Sequence, residues 1–124
     1  MVTSEEVLRR LTLADPTYIH SLVRSEAVES LTTLDARSAV LVQLGGLIAN
    51  GAPTPIWQQC VSAGSGVGLS PDDMVGALLT LVGIVGIGRI VDAAPNLARA
   101  LGYDIDAALF GHEDDKERTE WQHH

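Results

Sequence analysis

Four residues in the middle of the chain have side chains that could take part in chemistry, namely Trp57, Gln59, Cys60 and Arg89. A cysteine acts as a nucleophile only as its thiolate, which a neighbouring cation or a helix N-terminus stabilises. Cys60 lies within a predicted helix and has no basic residue close to it in the sequence. We therefore expect a buried, unreactive thiol, and a catalytic role for Cys60 is the alternative.

The other three residues are candidates for a binding pocket. Trp57 and Cys60 are one helical step apart and share a helix face, which predicts either a pocket with Trp57 as its wall and Gln59 beside it, or a subunit interface packed by Trp57. Arg89 follows a long apolar stretch, and a guanidinium group suits a carboxylate. It either holds the carboxylate of a substrate or forms an ion pair with Asp92 or with a neighbouring subunit.

No metal or cofactor site is predicted from the remaining residues. Zinc ligands have a characteristic spacing, and the four histidines do not show it: they are His20, His112, His123 and His124. The glycine-rich stretches 64–68 and 83–88 follow no predicted strand, as a dinucleotide-binding motif must. The last two histidines are either native or the remnant of a purification tag.

The composition and net charge of the chain argue against some classes of binding partner. The 124 residues are 46% hydrophobic and only 4% aromatic, and the net charge is −8. Because the eight basic residues are scattered, we expect neither nucleic acid nor an anionic membrane surface as a partner. The uncharged run from Met74 to Gly88 is shorter than the roughly 18 residues that span a bilayer. A single cysteine rules out an internal disulfide, and the acidic N-terminus is unlike a secretory signal, so we expect a cytoplasmic protein.

The elements that position these residues are all predicted to be helices. Helix-capping patterns occur at Thr3, Asp15, Asp35 and Ser70, where a small polar side chain precedes an apolar periodic segment. No segment alternates apolar and polar residues as a half-buried strand does. The clearest helix face consists of five aliphatic residues with helical spacing: Val40, Leu41, Leu44, Leu47 and Ile48.

The sequence predicts an all-α chain with one compact helical domain over residues 1–110 and a polar, mobile tail over 111–124. Two details of the helix boundaries follow from glycine and proline. Three alternating glycines at 64, 66 and 68 predict a frayed end for the fourth helix. A sixth helix is predicted from about Ile84 to Leu101, with a kink or a new start near Pro95.

Residues 34–109 resemble the carboxymuconolactone decarboxylase-like, or alkylhydroperoxidase-D-like, family. No single motif carries this resemblance, which lies in the order and spacing of short segments over about two thirds of the chain. These segments are Leu34–Arg37, Leu44–Ala49, Gly51–Pro53, Gly68–Val75, Gly83–Asp92 and Ala100–Asp104.

The resemblance implies a compact helical fold that assembles as a trimer or hexamer through its central helices. Some members of the family reduce peroxides with a Cys-x-x-Cys pair, a Glu and a His, and others decarboxylate a lactone. In this sequence the family histidine falls at Cys60, the two redox cysteines near Pro53 and Ile56, and the glutamate near Leu41. None of these residues can replace the family's thiol or proton relay.

Three functions remain as expectations. The first is an oligomeric protein with a small apolar pocket that binds a small ligand. The second is a lyase or isomerase, decarboxylase-like, that acts on a small organic acid through Arg89 and the polar groups near Gln59. The third, a thiol-dependent peroxidase, would depend on Cys60 alone, and a resolving thiol would have to come from outside the chain.

Overall fold

The computed structural model describes residues 3–24 and 32–105, and each regular element within these ranges is a helix, which confirms the all-α prediction. The helices are α1 Ser4–Thr12, α2 Pro16–Arg24, α3 Ala36–Asn50, α4 Thr54–Gly66, α5 Pro71–Thr80, α6 Val82–Val85 and α7 Ile87–Ala100. Within the same ranges, no helix combines the length and the hydropathy that crossing a bilayer requires.

Contacts along the chain divide it into two units, Met1–Leu34 and Asp35–His124. A single domain over residues 1–110 stays a prediction. The predicted tail at 111–124 lies outside the described residues.

The first unit contains α1 and α2. The Thr3 hydroxyl accepts a hydrogen bond from the backbone N–H of Glu6 and caps α1, as predicted. The Glu6 carboxylate forms ion pairs of 3.0 Å with both Arg9 and Arg10 on the same helix. Neither helix contains a buried residue, so the described part of this unit has no buried core.

The second unit has an aliphatic core around α3. The Asp35 carboxylate accepts the backbone N–H of Ser38 at 2.7 Å and caps the helix. Of the predicted face, Val40, Leu44 and Ile48 are buried every fourth residue, and α3 packs against α4, α5 and α7. The other buried core residues are Trp57, Cys60, Val61, Leu69, Met74, Leu78, Ile90, Ala93 and Leu97.

The end of α4 is ordered, and the predicted fraying is wrong. Gly68 has a φ of +87°, a left-handed conformation that glycine adopts without steric cost. Its N–H donates to the carbonyl oxygen of Ser65, and the N–H of Leu69 donates to that of Gly64 at 2.9 Å. These two bonds form a Schellman motif, which satisfies the last carbonyl groups and turns Leu69 into the core.

The break before α7 occurs at a glycine and not at Pro95, which corrects the predicted sixth helix. Gly86, with a φ of +85°, ends the short helix α6 and precedes Ile87, where α7 begins. Pro95 lies inside α7. The helix ends at Ala100, and the N–H of Gly102 donates to the carbonyl oxygen of Arg99.

Two exposed carboxylates make the stability of the second unit depend on pH. The backbone N–H groups of Ser38 and Ser70 hold the pKa values of Asp35 and Asp73, respectively, below their usual range. Because each folded pKa lies below the unfolded one, this stabilisation is present above the unfolded pKa and is lost as the pH falls through the folded pKa. We expect the melting temperature to fall steeply below about pH 4.

The control for this pH dependence is Asp35→Asn, since asparagine caps a helix as well as aspartate but does not titrate. Its melting temperature at pH 7 should stay close to that of the wild type, and its loss on acidification should be smaller. Thermal unfolding followed by circular dichroism between pH 2 and pH 7 measures both. An equally steep acid loss in Asp35→Asn would show that the cap is not the cause.

Candidate functional site

An apolar groove of about 600 Å³ lies between α3 and α5 and is open to solvent. Large aliphatic side chains line it from α3, at Leu41 and Val42, and from the end of α5, at Leu81. Small residues complete the lining, at Gly45 on α3 and at Gly76 and Ala77 on α5. A Cβ atom added to Gly76 would meet no atom within 4 Å, so the missing side chain contributes to the open space. We call this the α3–α5 groove.

The polar side chains of the α3–α5 groove, Asp73 and Thr80, already have partners. They lie seven residues apart on α5 and therefore share a helix face. The Asp73 carboxylate accepts the N–H of Ser70 and lies 3.5 Å from the guanidinium of Arg37. The Thr80 hydroxyl donates to the carbonyl oxygen of Gly76 at 2.7 Å. The groove therefore suits an uncharged, mainly apolar molecule.

A second groove of about 590 Å³ lies between α3 and α4, and we call it the α3–α4 groove. It brings together two of the predicted site residues, Gln59 and Cys60, with the amides of Gln43 and Asn50. The Asn50 amide donates to a backbone carbonyl of its own helix. The described residues that line it include no carboxylate, imidazole or cation, the side chains that most often act as general acids or bases near neutral pH.

The two other predicted pocket residues lie elsewhere. Trp57 is fully buried in the core, and its indole N–H donates to the carbonyl oxygen of Ala52 at 3.1 Å. Arg89 is exposed on α7, lines neither groove, and forms no ion pair within the described residues. Gln59 and Cys60 thus line one groove, and neither Trp57 nor Arg89 contributes to its lining.

The α3–α5 groove was missed by the sequence analysis, although the sequence contains a signal for it. Small residues interrupt two otherwise aliphatic helices, at Gly45 in α3 and at Gly76–Ala77 in α5. Two helices with small residues at their facing positions leave space between them. Which helices face each other is a property of the tertiary structure, and the linear sequence does not contain it.

Neither a group of metal ligands nor a similar known protein indicates a function for these grooves. The described residues contain no group of three or more His, Cys, Asp or Glu side chains placed to hold a metal ion. The chain matches no protein-family model, no curated protein and no solved structure.

Cys60 is held as a neutral thiol. Its side chain is buried, with 8% of the residue exposed, and its sulfur lies 4.0 Å from the carbonyl oxygen of Val40. Burial raises the pKa of the thiol above its usual value, because an apolar environment disfavours the charged form. The thiolate that nucleophilic and redox chemistry requires is therefore scarce at neutral pH.

We expect native Cys60 to react slowly with thiol-labelling reagents until the protein unfolds, and to show no peroxidase turnover with a dithiol reductant. Cys60→Ala should cost on the order of 1 kcal/mol of stability and leave the oligomeric state unchanged. Labelling rates with and without denaturant measure the first expectation. Rapid labelling of folded protein at neutral pH would instead identify Cys60 as a nucleophile.

Proposed function

We propose that the chain is a self-associating helical protein that binds a small, uncharged, mainly apolar ligand in the α3–α5 groove. The observation that supports this is the groove itself, which combines aliphatic walls, small residues and polar side chains that are already engaged. Its volume of about 600 Å³ lies within the roughly 300–1,000 Å³ typical of small-molecule sites. A binding role needs no reactive group, and among the described residues that line this groove the one charged side chain is the paired Asp73.

Self-association is proposed from a surface that we call the α5–α7 face. It consists of five aliphatic residues that are 36–79% exposed: Leu79, Val82, Ile84, Ile87 and Val91. Four of the five residues lie in the uncharged run from Leu79 to Gly88, and Val91 lies beyond the exposed Arg89. Exposed apolar patches are typical of interfaces. An assembly through the central helices, as trimers or hexamers, and membership of the carboxymuconolactone decarboxylase-like family are part of this proposal and depend on the resemblance alone.

Burial of the α5–α7 face contributes a free energy of the same order as the cost of association. Burying one aliphatic side chain fully contributes about 1.5–3 kcal/mol. A two-fold interface buries the same residues on both copies, so five partly exposed residues count twice. Their sum is comparable with the roughly 4–15 kcal/mol that association costs in lost freedom of motion.

The two enzymatic alternatives have less support. A lyase acting on an organic acid was expected to use Arg89 with the polar groups near Gln59, and Arg89 lines neither groove. A thiol peroxidase would need a reactive Cys60, which is buried with a raised pKa. A cytoplasmic location remains a proposal from the single cysteine.

The proposed ligand site is tested with N-phenyl-1-naphthylamine, an uncharged apolar dye whose fluorescence rises in apolar surroundings. Gly76→Leu fills the α3–α5 groove, and its matched control, Gly46→Leu, places the same side chain in the α3–α4 groove. Both glycines are helical and an added Cβ meets no atom within 4 Å, so both variants should fold.

We expect Gly76→Leu to weaken dye binding by about tenfold or more, equivalent to about 1.4 kcal/mol, while Gly46→Leu binds as the wild type does. Fluorescence titration gives both affinities. If Gly46→Leu alone lost binding, the ligand site would be the α3–α4 groove. If the wild type bound no dye at any concentration, the proposed function would be wrong.

A further inference from the structure

We infer that the α3–α4 groove is a second binding site, which takes a small neutral molecule with an amide group or an amide-like edge, and that the side chain of Gln59 pairs with that group. The inference goes beyond the proposed function and does not depend on it, because it concerns a different groove and a different class of ligand.

The α3–α4 groove lies between one face of each of two consecutive helices. On each helix the lining residues follow the i, i+3, i+4, i+7 spacing of a single face, beginning at Gln43 on α3 and at Ile56 on α4. A Cβ atom added to Gly46 would meet no atom within 4 Å, so the α3 wall is open at this residue. The volume of about 590 Å³ lies within the roughly 300–1,000 Å³ typical of small-molecule sites.

Three side-chain amides, those of Gln43, Asn50 and Gln59, distinguish this groove from the α3–α5 groove. The Asn50 nitrogen donates to the carbonyl oxygen of Gly46 at 3.0 Å, and its amide oxygen remains an acceptor. The amides of Gln43 and Gln59 form no hydrogen bond with any other residue in the described ranges. Each of these two offers an oxygen acceptor and two N–H donors, so the groove presents donors and acceptors side by side.

The class of ligand follows from the absence of charge and from the geometry of an amide. Because the described lining residues include no charged side chain, an anion or a cation would lose water there without gaining a counter-charge. A side-chain amide instead forms two parallel hydrogen bonds with a neighbouring donor and acceptor, as it does with the edge of adenine. Leu47 and Ile56 are apolar parts of the lining. The groove therefore suits neutral carboxamides, lactams and heterocyclic bases with an apolar body.

Gln59 is the side chain that we assign to the ligand amide, because of how the three amides are divided between the walls. Gln43 and Asn50 are both on α3, seven residues or about 10 Å apart along the helix axis. Among the described lining residues of α4, the polar side chains are Gln59 and Cys60. Cys60 is buried, and a thiol is a weak donor. A ligand between the two helices therefore finds its amide partner on the α4 wall at Gln59.

The probe is benzamide, which has a primary amide on a small apolar ring. Amide NMR of the full-length chain, titrated with benzamide, should show its largest shifts at Asn50 and Gln59, with a dissociation constant in about the millimolar range for so small a molecule. Acetophenone keeps the ring and the carbonyl but lacks the N–H donors, and should bind about three- to tenfold more weakly. Benzoate has nearly the same shape with a negative charge, and should bind at least as weakly as acetophenone.

Gln59→Leu removes the amide at nearly constant size and should weaken benzamide binding about three- to tenfold, while acetophenone binding stays as in the wild type. The matched control is Gln58→Leu, the same change at the adjacent exposed residue, which lines neither groove. It should bind benzamide as the wild type does.

Three results would overturn the inference: no shifts with benzamide, equal affinity for benzamide and acetophenone, or equal losses in Gln59→Leu and Gln58→Leu. None of them would affect the proposed function, because that is tested by dye binding in the α3–α5 groove, which Gln59→Leu should leave unchanged. Failure of the dye to bind would in turn leave the benzamide result standing.

Discussion

Trp57→Ala should remove about 3–5 kcal/mol of the free energy of unfolding, which for a domain of this size totals about 5–15 kcal/mol. Trp57 is fully buried, and its indole N–H is bonded to the Ala52 carbonyl oxygen. Truncation leaves a large cavity among the aliphatic and sulfur-containing side chains that form the rest of the described core, and it leaves the carbonyl without this partner. The variant should be partly unfolded at physiological temperature.

Urea denaturation followed by circular dichroism at the helix band measures this loss, because the tryptophan signal itself changes. The matched control is Tyr103→Ala, an aromatic truncation at a residue that is 55% exposed, which should change stability by less than about 0.5 kcal/mol. A small and equal effect of both substitutions would mean that Trp57 is not the centre of the core.

Gly64→Val is expected to be the other strongly destabilising change. An added Cβ would lie 2.7 Å from Cε of Met74, and 3.3–3.4 Å from side-chain atoms of Leu69 and Val40. Met74 is itself buried, with 1% exposed, so its end has little space into which to move. Overpacking of this kind costs about 1–3 kcal/mol, which outweighs the better helix propensity of valine relative to glycine.

Two comparisons isolate the steric cause. Gly46→Val introduces the same residue into α3, where a Cβ meets no atom within 4 Å, and should leave stability equal or slightly higher. Met74→Leu removes the terminal atom that causes the closest contact, so combining it with Gly64→Val should cost less than the sum of the single changes. Additive effects in urea denaturation would contradict the contact at Gly64.

Local signals were sufficient to predict most helix starts. Thr3, Asp35 and Ser70 each cap the helix that the sequence assigned to them, because a cap bond involves residues two or three positions apart. The apolar face of α3 was also predictable, since its aliphatic residues recur every three to four positions in the sequence. Both features depend on residues that are three or four positions apart in the sequence.

The helix boundaries that were predicted wrongly lie where several residues could each end a helix. Gly83, Gly86 and Gly88 are alike in sequence, but only Gly86 has a positive φ among them and separates two helices. Pro95 was expected to disturb α7, yet the helix continues through it. Packing of α7 through Ile90, Ala93 and Leu97 stabilises the helix on both sides of the proline, and this stabilisation is tertiary.

The candidate site was predictable only in part, for the same reason. Gln59 was predicted to lie beside a pocket with Trp57 as its wall, and it lines the α3–α4 groove with Cys60 but without Trp57. Trp57 was correctly linked to Cys60 by helical spacing, but spacing does not say whether a shared face meets a core or a groove. Arg89 was singled out by its type, and its distance from Gln59 depends on how α4 and α7 pack.

The most direct test of the account locates the bound dye on the protein. Two-dimensional amide NMR of isotope-labelled chain, titrated with N-phenyl-1-naphthylamine, reports each backbone position separately. The account predicts the largest shifts at Leu41, Gly45 and Ala77, which line the α3–α5 groove, and small shifts at Asn50 and Gln59, which line the α3–α4 groove. Shifts concentrated at Asn50 and Gln59, or no shifts at all, would contradict it.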